Sequence, residues 1–222
     1  MISVCVPTFS QYGHGVKHLT ILFNSLEKQK GVFNVIISDN CETGEIKTLC
    51  DFYKNRLPIY YHFNPIIGIS ANTNNAIEHA TFDKIKLMYM DDICCDPYCL
   101  AHFSESLNRK EWAVSNSYKI NGAGVRIRIK QPTWSDRVLE GFNTIGMPSV
   151  VGFRKNEFRF DEKLKTLLDC EFYWLMYKKF GEPEWIRKPI VSQRYHDNST
   201  SSIQGNMRVS EFEYLKKKYN LK

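Results

Sequence analysis

At 222 residues, with 43% hydrophobic and 24% charged residues, the chain is long enough to bury a substantial core and has the make-up of a globular domain, which excludes disordered and fibrous classes. No apolar run approaches the ~20 residues that cross a bilayer, and the net charge of +6 is scattered along the chain, so a nucleic-acid partner is not expected. The opening "MISVCVPTFS" carries neither a basic n-region nor a cleavage site, and an odd count of seven cysteines reads as free thiols in a reducing compartment, so a cytoplasmic location is expected.

The first predicted strand is "ISVCVPTF", β-branched and apolar, and it delivers Pro7 and Thr8 to its end. Val16, Leu19, Phe23 and Leu26 follow at helical spacing. A second strand, "FNVIISD", stops at Asp39 and Asn40; a helix through Ile46, Leu49, Cys50 and Tyr53 comes next. "LPIYYHF" is a third strand, "GISANTNNAIEHA" a helix from about Ser70, and "KIKLMYM" a fourth strand that runs into Asp91 and Asp92. Strands alternating with helices over short loops predict an α/β fold with a mostly parallel sheet flanked by helices. In such sheets ligands bind beyond the carboxyl ends of the strands, where three strands here place Thr8, Asp39 with Asn40, and the Asp91–Asp92 pair.

The second half is less regular. "EWAVSNSYKI", "GVRIRIK" and "PSVVGFRK" read as strands, and the strict alternation of "VRIRIK" makes one of its faces wet. Asp96 and Pro97 read as a helix start. "LLDCEFYWLMYKKFG" is a helix ending at Gly181. A strand from Pro189 leads into a polar loop, and "RVSEFEYLKKKYN" closes the chain as a helix. Its basic end reads as a solvated helix terminus, with peripheral contact to a membrane surface as the other reading. One domain is expected, since no repeat or long linker interrupts the chain.

Adjacent aspartates repel unless a cation or full solvation relieves them. "YMDD" looks like a reverse-transcriptase metal hairpin, but the downstream strand of that hairpin is missing here. "GHG" after the first strand lacks the third glycine of a dinucleotide fingerprint. A sugar-phosphate nucleotidyltransferase would want a basic Gly-rich loop there, and "PTFSQYGHG" has no basic residue before Lys17. Cys94, Cys95 and Cys99 with His102 have no second C-x-x-C, so zinc is not expected.

The order of "ISVCVPTFS", "VIISDN", "GISANTNNAIEHA", "LMYMDDICCDP", "LLDCEFYWLMYKKFG" and "YHDNSTSS" resembles the inverting family 2 glycosyltransferases of GT-A fold. The resemblance implies a single domain over 1–222, with a nucleotide-sugar-binding half at 1–100 and a smaller antiparallel acceptor-binding half at 101–222. It implies donor contacts from Pro7, Thr8, Asp39, Asn40, Asn74 and Asp91. Asp92 stands as the direct metal ligand, with Asp91 as ligand or support and His196 as a further one. Asp169 is the expected general base, with Glu171 as the alternative. The metal motif is not a clean Asp-x-Asp, and the usual Glu-Asp pair is Leu168-Asp169 here. The Gln/Arg-x-x-Arg-Trp motif of processive enzymes is missing, which favours single addition.

Transfer from a nucleotide-diphosphate sugar builds negative charge on the leaving diphosphate. Carboxylates suit the Mn2+ or Mg2+ that would neutralise it. The acceptor hydroxyl, expected on a glycan or glycoconjugate, must lose a proton to a base. A UDP-sugar is the expected donor, a dTDP-sugar the next. Trp134 is a candidate sugar platform on the acceptor side, and Trp174 is assigned to the core. Each residue also has a structural reading: Asp169 as a helix-start residue, Asp39 as a turn former, Asn74 as a helix-interior contact. A family member that binds nucleotide or glycan without turnover is the alternative to an active enzyme.

Overall fold

Apolar β-branched runs form the buried centre of the sheet, and amphipathic segments between them cover it. The computed structural model describes residues 1–195 and 205–221. β1 (Ile2–Thr8), β2 (Phe33–Asp39), β3 (Ile59–Phe63) and β4 (Lys84–Leu87) alternate with α1 (Gly15–Leu26), α2 (Glu45–Tyr53) and α3 (Ile69–Glu78). β5 (Ile93–Cys94) and α4 (Cys99–Ser106) follow, then β6 (Trp112–Ile120), β7 (Arg126–Lys130) and β8 (Val151–Arg154). α5 (Leu168–Phe180), β9 (Glu184–Arg194) and α6 (Gly205–Tyr219) complete the order.

The strands make one mixed sheet in the order β3-β2-β1-β4-β8-β6-β9-β5, with β7 paired to β6. β3, β2, β1 and β4 are mutually parallel, as the β-α-β alternation predicts. From β8 onward the pairing turns antiparallel, apart from the parallel β6–β9 pair. Alternation along β1 sends Ile2, Val4 and Val6 to one face, under α1, α2 and α4. Cys5 goes to the other face, under α3, α5 and Leu215 of α6. All seven cysteines are free thiols.

Three strands differ from their expected spans; β8 starts only at Val151, after a 3-10 turn at Pro148–Val150. β4 stops at Leu87, because the Tyr89 amide is taken by the Ser149 hydroxyl at 2.8 Å and the chain turns at Tyr89–Asp92. β9 begins at Glu184, ahead of Pro189. Its register against β6 slips around Asn116, whose amide donates to the Arg187 carbonyl at 2.6 Å, and this bulge accommodates a proline that would break a regular ladder. At the C-terminal end, Lys218 of the basic run is not merely solvated: it bridges Asp161 and Glu171.

Candidate active site

The parallel register sets Thr8 beside Asp39 at the carboxyl ends of β1 and β2. Asp39 is fully buried. Its Oδ1 accepts from the Thr8 hydroxyl and the Cys41 amide, both at 3.0 Å, and its Oδ2 accepts from the Tyr61 hydroxyl at 2.9 Å. Burial raises its pKa, and the three donors act against that shift. Pro7 is buried in the strand. Asn40 spends its amide on the carbonyls of Asn64 and Ile66 and accepts from the Gly68 amide, which pins the loop before α3. Asn74 faces away from this edge: it exchanges two hydrogen bonds with the Phe160 backbone, each 2.8 Å. The α3 asparagines that do reach the edge are Asn72, bonded to Ser38 and the Thr8 carbonyl, and Asn75, bonded to Ser38.

The two aspartates of the acidic turn have different surroundings. Asp91 is half-buried, and the Gln11 amide approaches its Oδ2 at 3.4 Å. Gln11 takes a positive φ of 48°, uncommon for a residue with a side chain, and its Oε1 meets the His18 ring at 2.7 Å. Asp92 is only 1% exposed. Its Oδ1 accepts the Arg194 amide at 2.9 Å, while its Oδ2 has no partner among the described residues. Burial and the neighbouring Asp91 charge push its pKa up to about 7. The Arg194 guanidinium in turn holds the carbonyls of Asp91, Asn121 and Gly122.

Beneath the turn lies Lys86, fully buried. Its ammonium donates to the carbonyls of Leu87, Ser149 and Val151 and sits 4.3 Å from the Phe103 ring centroid. Burial lowers its pKa to about 8. Lys86 thus fastens the end of β4 to the turn that carries Ser149, and Ser149 holds Tyr89.

Across the acidic turn stands Asp169, in the first turn of α5. Glu211 of α6 accepts the amides of Lys165, Thr166 and Leu167 in the turn leading into the helix, while Asp169 itself takes a first-turn amide, as a helix-start carboxylate does. Its Oδ1 accepts the Cys170 amide at 2.8 Å, and its Oδ2 accepts the Asn143 side-chain amide at 2.6 Å. Burial pushes its pKa up to about 6. Burial pushes the Tyr89 hydroxyl well above the ordinary tyrosine range, and the negative charges of Asp169, Asp91 and Asp92 add to the shift. Glu171 does not join them. Two residues on, about 200° around the helix, it is 1% exposed and accepts from Lys218 and Tyr219, each at 2.6 Å. Trp134 stacks on Tyr177 at 3.7 Å, which covers one of its faces, and Trp174 packs against Tyr219. His196 lies outside the described residues.

Among the described residues no three His, Cys, Asp or Glu side chains converge as a metal cage. The acidic turn does present the half-buried Asp91 carboxylate next to Asp92, whose Oδ2 has no partner among the described residues. That donor set fits a hard cation carried mainly by substrate phosphates, the usual habit of Mg2+.

Gln11, Lys86, Asn143, Ser149 and Arg194 escaped the sequence reading. Lys86 had left a signal, a charge inside an otherwise apolar strand.

A parallel β-α-β half with acidic residues at its strand ends, joined to a largely antiparallel half that presents the partly buried Asp169 carboxylate at a helix start, is the arrangement of a GT-A glycosyltransferase domain. The model of glycosyl transferase family 2 matches residues 3–180, and the chain belongs to that family. Among solved structures, residues 1–349 of S. aureus TarS in complex with UDP-GlcNAc superpose with a TM-score of 0.73 at 20% identity, covering 92% of this chain and 61% of that one. The mannosyltransferase PcManGT from Pyrobaculum calidifontis, in complex with GDP-Man and Mn2+, gives 0.62 at 11% identity, covering 90% and 58%. The chain therefore spans about three fifths of each. No curated protein matches it by sequence.

Proposed function

We propose that the domain transfers a sugar from a nucleotide-diphosphate donor, a UDP-sugar first among candidates, to an acceptor hydroxyl with inversion at the anomeric carbon. The observation that carries this is the placing of Thr8, Asp39 and the Asp91–Asp92 turn at the carboxyl ends of adjacent parallel strands in a family 2 domain. The donor lies over the β1, β2 and β4 ends, within 1–100, and the acceptor enters from 101–222. TarS, crystallised with UDP-GlcNAc, supports the uridine carrier, and PcManGT with Mn2+ supports a metal.

Asp169 takes the proton of the acceptor hydroxyl at a carboxylate oxygen. The acceptor oxygen then bonds to the anomeric carbon, and the carbon–oxygen bond to the diphosphate breaks with its electron pair on the diphosphate. Asn143 holds Asp169 in place. A pKa of about 6 leaves Asp169 mostly ionised at neutral pH while keeping it a stronger base than a solvated carboxylate. Asp91, the more open of the pair, is assigned as the direct ligand for Mn2+ or Mg2+, with Asp92 behind it; this exchanges the roles expected from sequence. The ion, when bound, neutralises charge on the leaving diphosphate. Asp39 acts on the nucleotide through Thr8, Cys41 and Tyr61, which it fixes.

A panel of UDP-, dTDP- and GDP-sugars, each with and without Mn2+, tests the proposal by thermal shift and by donor hydrolysis or transfer. A ligand that binds only the folded state raises its apparent stability. Binding without turnover would assign the chain as a non-catalytic member; no binding of any donor would remove the proposal.

A further inference from the structure

The chain passes from β1 to α1 through a single 3-10 turn, Gln11–Gly13. The Gly13 and Gly15 amides both donate to the Ser10 carbonyl, at 3.0 and 2.9 Å, and the His14 amide donates to the Gln11 carbonyl at 3.0 Å. The winding is so close that a Cβ at Gly15 would lie 2.5 Å from the Phe9 carbonyl oxygen. At the head of this turn Gln11 takes its φ of 48°. Left-handed backbone is unfavourable for a residue with a long side chain, and glycine or asparagine takes it more readily. A turn that only joined a strand to a helix would be served by either; a strained glutamine points to a task for its side chain.

That side chain is turned inward, with Gln11 only 8% exposed. Its Oε1 lies 2.7 Å from Nδ1 of His18 on α1. An amide oxygen only accepts, so His18 donates, and this fixes which end of the amide faces which way. The nitrogen end is directed at the acidic turn, where Nε2 donates to Asp91 Oδ2 at 3.4 Å across 80 residues of sequence. At that length the bond adds little to stability. Its effect is on orientation, since a carboxylate with one oxygen held no longer rotates freely about its Cβ–Cγ bond.

We infer that Gln11 is a positioning residue of the donor site: it holds the Asp91 carboxylate in the orientation that receives a divalent cation, and the strained turn is what brings it there. This role presupposes the proposed transfer reaction, in which Asp91 is the direct ligand. Removing a group that orients a metal ligand lowers metal affinity by about 10- to 100-fold although the group touches neither ion nor nucleotide. Direct contact between the Gln11 amide and the nucleotide is the competing role, and it differs in one respect: it acts on nucleotide binding whether or not metal is present.

Calorimetric titration with UDP, with and without Mn2+, separates the two on wild type, Gln11→Met and Gln11→Gly. Methionine keeps the length and the strained backbone and removes the amide; glycine removes the side chain and suits the positive φ. Mn2+ is expected to strengthen UDP binding to wild-type protein. In both variants that gain should shrink by about tenfold or more, with metal-free UDP affinity staying within about threefold. Thermal melting distinguishes positioning from a folding defect, because the relaxed Gln11→Gly is expected to melt no lower than Gln11→Met and still to lose the Mn2+ gain. An undiminished gain in either variant overturns the inference. An equal loss of UDP affinity with and without Mn2+ overturns it too and makes Gln11 a nucleotide contact, and failure of both variants to fold assigns the residue to the fold alone. Absence of any Mn2+ gain in wild-type protein would instead overturn the metal reading on which the inference rests, a result in which the variants play no part.

Discussion

Asp169→Asn tests the base assignment, because the structure predicts opposite effects on rate and on stability. Burial raises the carboxyl from 3.8 to about 6. A raised carboxyl pKa means that the folded state holds the proton more tightly. Stability contributed by this group is therefore intact below about pH 4 and falls as pH rises through about 6. A shift of this size corresponds to roughly 3 kcal/mol, and partial exposure discounts it to roughly 2. The substituted amide keeps one hydrogen bond. It cannot accept from both Cys170 and Asn143, as the carboxylate does, and loses about 1 kcal/mol for the other. Chemical denaturation should thus find the variant more stable than wild type by about 1 kcal/mol at pH 7.5 and less stable by a similar amount near pH 4. The transfer rate should fall by ~10²-fold or more. The wild-type rate should rise about tenfold between pH 5 and pH 7, as the ionised fraction climbs from about one tenth to about nine tenths. Equal rates for variant and wild type, or a flat wild-type profile across that range, would falsify the assignment of Asp169 as base.

Glu171→Gln should leave the transfer rate within about threefold while lowering stability by roughly 1–3 kcal/mol, since Lys218 and Tyr219 lose a charged partner; a rate loss on the scale of Asp169→Asn would return Glu171 to the base role. Asp91→Asn should abolish the Mn2+-dependent part of UDP binding in titration with little change in melting temperature. Asp92→Asn should act on stability too, raising it at pH 8 because a carboxyl pushed up to about 7 pays for ionisation above that pH and not below about 4; if only Asp92→Asn removes the metal dependence, the ligand order is reversed. Asp39→Ala should cost roughly 3 kcal/mol of unfolding free energy as the Thr8, Cys41 and Tyr61 donors lose a buried acceptor. UDP affinity should drop with it, and an undisturbed affinity would confine Asp39 to holding the fold.

Local pattern carried the first half of the molecule. β-branched runs ending in Thr8, Asp39 and the Asp91–Asp92 pair, with helices of 3.6 period between them, specify a parallel sheet, and a parallel sheet puts those ends on one edge. Asp169 could be singled out from sequence because it opens a long helix at the place of the family's Glu-Asp pair. What sequence did not carry is which oxygen of which carboxylate meets solvent. Asp91 and Asp92 are chemically identical neighbours, and only the return of β9, whose Arg194 amide takes Asp92 Oδ1, buries one and leaves the other half-exposed. Glu171 and Asp169 are two residues apart on one helix, and only the docking of α6 spends the first on Lys218 and Tyr219. Asn74 lies on a helix whose other asparagines reach the site, yet the Phe160 loop claims it. Hydrogen bonds of long sequence separation decide these cases, because a buried polar group takes whichever partner the packed fold brings within about 3 Å, and no local pattern names that partner.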